Sequence, residues 1–129
     1  NYLKKESSNN KVVMGDLNIA PLKNDVWSHR QLLNVVSHTK VETDKLLKLL
    51  NYCDLIDIIR YKFQENKKVF SWWSYRNKDW KKSNRGRRLD HIFVSRKLVK
   101  YSEEVAIYKE IRDWNKPSDH VPVLLNLKL

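Results

Sequence analysis

Three aspartates in this chain stand where an apolar run starts or stops, and each has a second polar group close by. Asp16 follows "KVVMG" and comes two residues before Asn18. Asp90 opens "DHIFVS" and Asp119 precedes "HVPVLLNL", so each is followed at once by an imidazole, His91 and His120. Hard divalent cations such as Mg²⁺ take carboxylate and amide oxygens, commonly one or two carboxylates with water and a substrate phosphate. An imidazole oriented by a carboxylate serves as a base or as a donor to phosphate. Asp16, Asn18, Asp119 and His120 brought to one cleft would suit metal-assisted phosphodiester hydrolysis. One such Asp alone is more simply a turn former or cap. Three of them, each beside a further ligand or base, make the chemical reading worth testing, although spacing alone does not bring distant segments together. His29 and His38 sit in no such pattern and read as surface or loop histidines.

A second feature is "RNKDWKKSNRGRR", residues 76–88, with seven basic residues and one acid. A charge run is commonly no more than a solvated face. Here Trp72, Trp73 and Tyr75 precede it and Trp80 interrupts it. Cations beside aromatic plates suit phosphate contacts with stacking on a base or sugar. Arg76, Arg85 and Arg88 are the candidate phosphate contacts, with Trp72 beside them.

The elements that must position these residues are short. "KVVM" (11–14) reads as a buried strand stopped by a tight turn at Gly15, which leaves "DLNIAP" as a loop at its C-terminal edge. Residues 25–36 read as loop and a short helix. Thr39 with Glu42 fits a capping box, and Leu46, Leu49, Leu50 and Cys53 follow at helical spacing, so a helix is predicted over 40–52. "DLIDII" (54–59) fits either a strand or a helical turn. "VFSWWSY" (69–75) is β-branched and aromatic, a predicted strand, with a basic loop after it at 76–88. "DHIFVS" (90–95), "EVAIYKEI" (104–111) and "VPVLLNL" (121–127) read as three more strands. With a single strong helix among several strands, the fold class is mixed α/β (α+β) layer packing rather than a doubly wound repeat.

The bulk composition sets limits. The chain has 129 residues, enough for one domain with a modest core. It carries 26 Lys and Arg against 15 acids, a formal +11, which favours polyanions, nucleic acid first and anionic membrane second. A Lys-rich soluble protein is the plainer alternative. The single Cys, Cys53, rules out an internal disulfide and a Cys-based zinc site, and reads as a small core residue. Only two glycines occur, Gly15 and Gly86, against about nine at average usage, so both are expected where backbone geometry demands them. The polar opening has no signal-peptide pattern, and no apolar run approaches a membrane span. The chain does not begin with Met, so it is expected to be a piece of a longer or processed product.

"GDLNIAP" (15–21), "FSWWSYR" (70–76), "NRGRRLDHIFVS" (84–95) and "KPSDHVPV" (116–123) occur in this order. Together they resemble the exonuclease III-type apurinic/apyrimidinic endonucleases of the endonuclease/exonuclease/phosphatase (DNase I-like) superfamily. The resemblance covers nearly the whole chain and implies that residues 1–129 are the C-terminal half of such a domain. It implies a mixed, mostly antiparallel sheet with flanking helices, half of a two-sheet, four-layer sandwich whose active site lies at the sheets' shared edge.

The same resemblance implies roles. Asp16 handles the attacking water or leaving-group proton and helps hold metal. Asn18 hydrogen-bonds the scissile phosphate, Asp90 orients the catalytic His120, and Asp119 lies near the metal. Trp72 lines the pocket for a base-less sugar. The implied catalytic set is Asp16, Asn18, Asp90 and His120. The implied metal set is Asp16, Asn18, Asp119 and His120, for Mg²⁺ or alternatively Mn²⁺. The implied activity is hydrolysis of double-stranded DNA at abasic sites or 3′ ends, in base-excision repair. The implied setting is bacterial, cytoplasmic and nucleoid-associated, with no membrane partner, and the full-length protein is expected to be a monomer. The family's metal-binding Glu, an Asn and a Tyr lie before "GDLN", so hydrolysis is expected to need a preceding N-terminal half. Without it, an apolar face including Val12, Ile92, Val94, Val123 and Leu125 is expected to be exposed. Two other readings stand beside this one: an inactive nucleic-acid-binding fragment, and a superfamily phosphatase acting on a phospholipid head group.

Overall fold

Strand β3 (Asp90–Ser95) is the axis of the fold. Its side chains alternate between two faces, and both faces are buried. Ile92 and Val94 pack on one side against Ile58, Ile59, Val69 and Leu98. Phe93 packs on the other against Leu46, Leu50, Cys53 and Leu55. The computed structural model describes residues 10–129, and the polar opening at 1–9, read above as free of a signal segment, lies outside them.

Strands β1 (Val12–Asp16) and β2 (Leu55–Asp57) flank β3, both antiparallel to it, in the order β1-β3-β2. A second antiparallel pair, β4 (Ser102–Ile107) and β5 (Val123–Leu127), lies across the Ile92/Val94 face through Val105, Ile107, Val123 and Leu125. Helix α2 (Lys40–Tyr52) covers the Phe93 face through Leu46 and Leu50. The result is a layered mixture of antiparallel strands and helices, as the fold class anticipated. Three shorter helices complete it: α1 (His29–Leu32), α3 (Ile58–Phe63) and α4 (Trp80–Ser83).

Helix α2 has the bounds its sequence predicts. Thr39 Oγ1 accepts from the Glu42 N–H and Glu42 Oε2 accepts from the Thr39 N–H, so the capping box is closed, a cap worth about 1 kcal/mol. Residues 54–59 take both conformations offered for them: β2 comes first, then Asp57 caps α3 by accepting from the Arg60 N–H.

Several expectations need correction. The strand at 11–14 is not buried and does not stop at Gly15. It runs to Asp16, with Gly15 at φ +147°, and Val12 and Met14 are 39% and 67% exposed. Strand β1, an edge strand among the described residues, lies beyond the cover of β4 and β5. That cover also buries Ile92 and Val94 and half-buries Val123 and Leu125, so of the five residues expected on an exposed apolar face only Val12 is exposed. Residues 69–75 make no continuous ladder. Ser71 and Trp72 both donate their N–H to Arg87 O, a doubling that breaks strand alternation and leaves isolated bridges from Trp72 to Arg87 and to His120. The strand predicted over 104–111 ends at Ile107, and Lys109–Asp113 forms a 3-10 turn. The last strand begins at Val123, after Pro122, which has no N–H to give a ladder. The basic 76–88 segment contains helix α4.

Candidate active site

Register builds the site first. Asp16 and Asp90 are Cα partners in the β1–β3 ladder, at its end. They share a face with Met14 and Ile92, so both carboxylates leave the sheet on the β5 side. The segment 119–121 reaches that same end because Trp73 donates to Asp119 O at 2.9 Å and Val121 donates to Ser71 O at 2.8 Å. Val121 is buried with Phe70 and Trp73, which anchors His120 one residue before it.

His120 lies between the two acids. Its Nδ1 is 2.8 Å from Asp90 Oδ2, and its Nε2 is 3.8 Å from Asp16 Oδ2. An ionised carboxylate only accepts, so Nδ1 carries the proton and donates it to Asp90. Nε2 then presents a lone pair across a gap too long for a direct hydrogen bond. Ser71, fully buried, fixes the Asp90 side of the trio. Its Oγ donates to Asp90 Oδ2 at 2.6 Å and accepts from the N–H groups of Leu89 and Asp90. Ligand atoms of Asp16, Asp90 and His120 all lie within 4.8 Å of one another. Two carboxylates match what Mg²⁺ commonly takes from protein, so the donor set fits a hard divalent cation.

Asn18 is held in the left-handed region at φ 53°, which Asn tolerates. Its backbone N–H and its Nδ2 both donate to Asp16, at 2.9 and 3.1 Å. One Nδ2 hydrogen remains, pointing from an exposed residue. Asp119 stands apart from the trio's carboxylates: its Oδ2 accepts from Trp72 Nε1 at 2.9 Å. Of the expected metal set, Asp16 and His120 therefore come together with Asp90, Asn18 lies against Asp16, and Asp119 is turned to the indole.

Trp72 joins this trio to an open groove of about 670 Å³ lined also by Trp27, Ser74, Arg76, Asn77, Arg85 and Arg87. Arg85 lies over the Trp27 ring at 4.7 Å and Arg87 over the Trp72 ring at 5.5 Å. Arg87 is tethered through Nη1 to Val36 O and Ser37 Oγ, and its partial burial lowers its pKa. Gly86 sets the path of this segment, since a Cβ there would fall 2.6 Å from the Phe70 ring. The scarce glycines thus serve geometry, one by a close approach and the other by a positive φ.

Arg88 does not belong to the groove. It is 0% exposed and forms a two-pronged pair with Asp25, Nε to Oδ1 at 2.7 Å and Nη2 to Oδ2 at 2.8 Å. Arg60 pairs with the same carboxylate, and Asp57 accepts from Arg88 Nη1 at 2.7 Å. Two cations and two acids balance, which is the condition for burying charge at all. Burial raises the Asp25 pKa, but Arg88 and Arg60 outweigh it and hold the carboxyl below its usual range. Arg88 Nη1 also lies 3.0 Å from His91 Nδ1. A guanidinium can only donate, so His91 Nδ1 accepts and Nε2–H donates to Ile19 O at 2.7 Å. His91 is held neutral by burial and by Arg88, and it steadies the loop after Asn18. His38, read as a surface or loop histidine, lies in a loop but is buried: Nδ1 bonds Ala20 O, and His29 meets its Nε2 at 2.8 Å.

Ser71, Trp27 and Arg87 were not singled out in the sequence. Ser71 had a signal, a small polar residue within an aromatic run; Trp27 had none, since its place depends on the Gly86 segment far along the chain.

A carboxylate-oriented imidazole, a second carboxylate 3.8 Å from its other ring nitrogen and a basic aromatic groove stand together at the end of a layered α/β sheet. The chain belongs to the endonuclease/exonuclease/phosphatase family, whose model matches residues 2–120. It is 36% identical to exodeoxyribonuclease III of Haemophilus influenzae over 98% of this chain and 50% of that protein. Among solved structures it is similar to the 3′ phosphatase NExo from Neisseria, bound to a product DNA hairpin, with TM-score 0.89, 26% identity and 99% of this chain on 49% of the other. It is also similar to an AP endonuclease from Archaeoglobus fulgidus, with TM-score 0.86, 28% identity and 99% of this chain on 50% of the other. The chain spans half or less of the length of the curated relatives it matches, and its fold corresponds to half of a DNase I-like fold. Among the described residues no helix is long and apolar enough to cross a membrane.

Proposed function

We propose that this chain is the C-terminal half of a Mg²⁺-dependent DNA phosphodiesterase of the exonuclease III and abasic-site endonuclease type, working in base-excision repair and completed by an N-terminal half. The observation that carries this reading is the Asp90–His120–Asp16 trio, with Trp72 beside it leading into the cationic groove. His120 Nε2 accepts a proton from a water lying against both Nε2 and Asp16. Asp90 keeps the imidazole in the tautomer that leaves Nε2 free and stabilises the imidazolium that forms. Asn18 offers its remaining amide hydrogen to a phosphate oxygen. Mg²⁺, or Mn²⁺, bound by Asp16 with the other half's ligands would supply charge neutralisation of the phosphate. Arg76 and Arg85 track the DNA backbone, and Trp72 lines the place of the abasic sugar or 3′ end. The groove's repeated cations favour a polymer of phosphates over a single lipid head group. The remaining parts of the reading are a bacterial cytoplasmic enzyme, nucleoid-associated and monomeric at full length.

The test is incision of an abasic-site duplex by the purified chain, alone and with an N-terminal half, in Mg²⁺, Mn²⁺ or chelator. Metal-dependent incision only in the presence of both halves is the expected result. No incision by the reconstituted pair would remove the catalytic reading, and metal-dependent turnover by the chain alone would remove the need for the other half.

A further inference from the structure

An indole stands in solvent close to this site with nothing in the catalytic reading to account for it. Trp114 is 65% exposed, six residues before His120. Exposed apolar side chains are common singly, so the indole counts only together with its neighbours.

The exposure does not come from a loose loop, because the residues around Trp114 are tied down. Arg112 is only 6% exposed, with its guanidinium 5.0 Å from the Tyr75 ring and 5.5 Å from the Trp80 ring. Its Nη2 lies 3.4 Å from Trp73 O, and its Nε has no hydrogen-bond partner among the described residues. Asp113 pairs with Lys81 at 2.7 Å, and the Trp114 N–H donates to Ile111 O at 3.1 Å. On the far side, Tyr75 Oη donates to Pro117 O at 2.8 Å. Tyr75 is itself 59% exposed. The side chain at 114 is therefore presented from a pinned base, with the Lys81–Asp113 pair at its neighbour and exposed Lys116 two residues on.

A flat aromatic ring with lysines nearby matches a partner that carries both a π-face and negative charge, and a nucleotide offers both. Six residues reach at most about 20 Å from His120, or roughly six nucleotides of one strand.

We propose that Trp114 is a stacking contact for a nucleobase of the bound strand, a few nucleotides from the phosphate that His120 addresses. This rests on the DNA reading above and adds a contact that reads bases rather than phosphates. Stacking gives it a signature of its own. A lost phosphate contact changes the salt dependence of binding, whereas a lost stack weakens binding by the same factor at every salt concentration.

The experiment is fluorescence anisotropy of the whole chain with a fluorescein-labelled DNA duplex bearing a recessed 3′ end, in chelator, across a salt series. Wild type, W114A and W114F are compared, with circular dichroism to confirm that the exposed substitutions leave the fold intact. The expected result is that W114A binds about tenfold more weakly with an unchanged slope of log affinity against log salt, while W114F keeps most of the affinity. W114A binding like wild type would overturn the proposal, and so would a slope that falls with the affinity or a W114F as weak as W114A. Absence of duplex binding by the wild type at low salt would instead sink the DNA reading on which the proposal rests.

Discussion

Asp16 and Asp90 face one another directly across the β1–β3 ladder, with the His120 imidazole reaching both. Like charges in register on adjacent strands oppose folding by roughly 0.2–1 kcal/mol. The pair is retained where a cation or an imidazolium would neutralise it, so site chemistry and sheet stability pull in opposite directions here. Asp16→Asn is expected to raise the melting temperature of the metal-free chain slightly. It should also remove any Mg²⁺-dependent gain in melting temperature. Melts in Mg²⁺ and in chelator check both, and an unaltered Mg²⁺ response in the variant would take Asp16 out of the metal site.

Asp90→Asn tests the tautomer. An amide can turn its Nδ2–H toward His120 Nδ1, which moves the imidazole proton to Nε2 and removes the lone pair facing Asp16. In an enzyme reconstituted from both halves, the rate should fall by about 10²–10⁴ with DNA affinity nearly unchanged. Long-range ¹H–¹⁵N correlations of the imidazole should show the tautomer change directly in the chain alone. An Nδ1–H imidazole persisting in the variant would disprove the assigned role.

The legible parts of this molecule are those whose physics is local. Thr39, Glu42 and the leucine spacing encode helix α2 within one stretch, and β3 is a run of apolar residues between Asp90 and Ser95. Asp16, Asp90 and His120 are legible one by one, because each sits at the end of an apolar run and four motifs occur in a familiar order; their meeting as a trio is not. Arg88 was misread because charge in a sequence does not say which way a side chain points. Its partner Asp25 is 63 residues away, and only the folded chain makes a buried cation affordable. Segment 69–75 departs from its reading for a related reason: its composition suits a strand, but the partners at Arg87 and His120 meet it as isolated bridges rather than as a ladder. Asp90 was assigned to orient His120, and its place beside Asp16 follows from strand register, which no residue count within one segment reveals.

The two arginines once grouped together should behave differently. Arg85→Ala leaves the core untouched and is expected to lower the salt slope of DNA binding by about one unit while the melting temperature stays constant. Arg88→Ala leaves Asp25 with one cation fewer and Asp57 without its partner from Arg88. It should cost about 3–5 kcal/mol of stability. Chemical denaturation separates the cases, and a stable Arg88→Ala variant with a reduced salt slope would return Arg88 to the DNA surface.

Asp25 gives a pH dependence with a definite sign. Its folded-state pKa lies below the ordinary carboxylate value, with Arg88 and Arg60 outweighing burial. As pH falls, the unfolded chain takes up this proton before the folded one does. The ion cluster's contribution is therefore complete above the unfolded pKa, near the ordinary aspartate value of 3.8, and is lost as pH falls through the folded value. Wild type should lose stability across that acidic window, and Asp25→Asn, already destabilised at neutral pH, should lose less of it there. Equal acid sensitivity of the two proteins would mean that other carboxylates govern acid unfolding.

Strand β1 combines two features that favour association. Among the described residues it is an edge of its sheet, and Met14 and Val12 project from it into solvent while Leu124 on β5 is also exposed. An edge with open backbone groups and apolar side chains pairs with other chains unless something covers it. In the proposed whole protein an N-terminal half supplies that cover; in the chain alone a second copy is the available partner. Met14→Lys should weaken self-association because it brings a like charge to the contact in each copy, and the total charge of +11 already opposes close approach. Burial in the monomer barely changes, since Met14 is mostly exposed, so the melting temperature at low concentration should move by less than about 0.5 kcal/mol equivalent. Sedimentation velocity over a concentration series measures the effect. Wild type is expected to shift toward larger species as concentration rises, and Met14→Lys to remain monomeric over the same range. A wild-type chain that stays monomeric throughout, or a variant that associates equally well, would show that this edge is not the surface through which the chain associates.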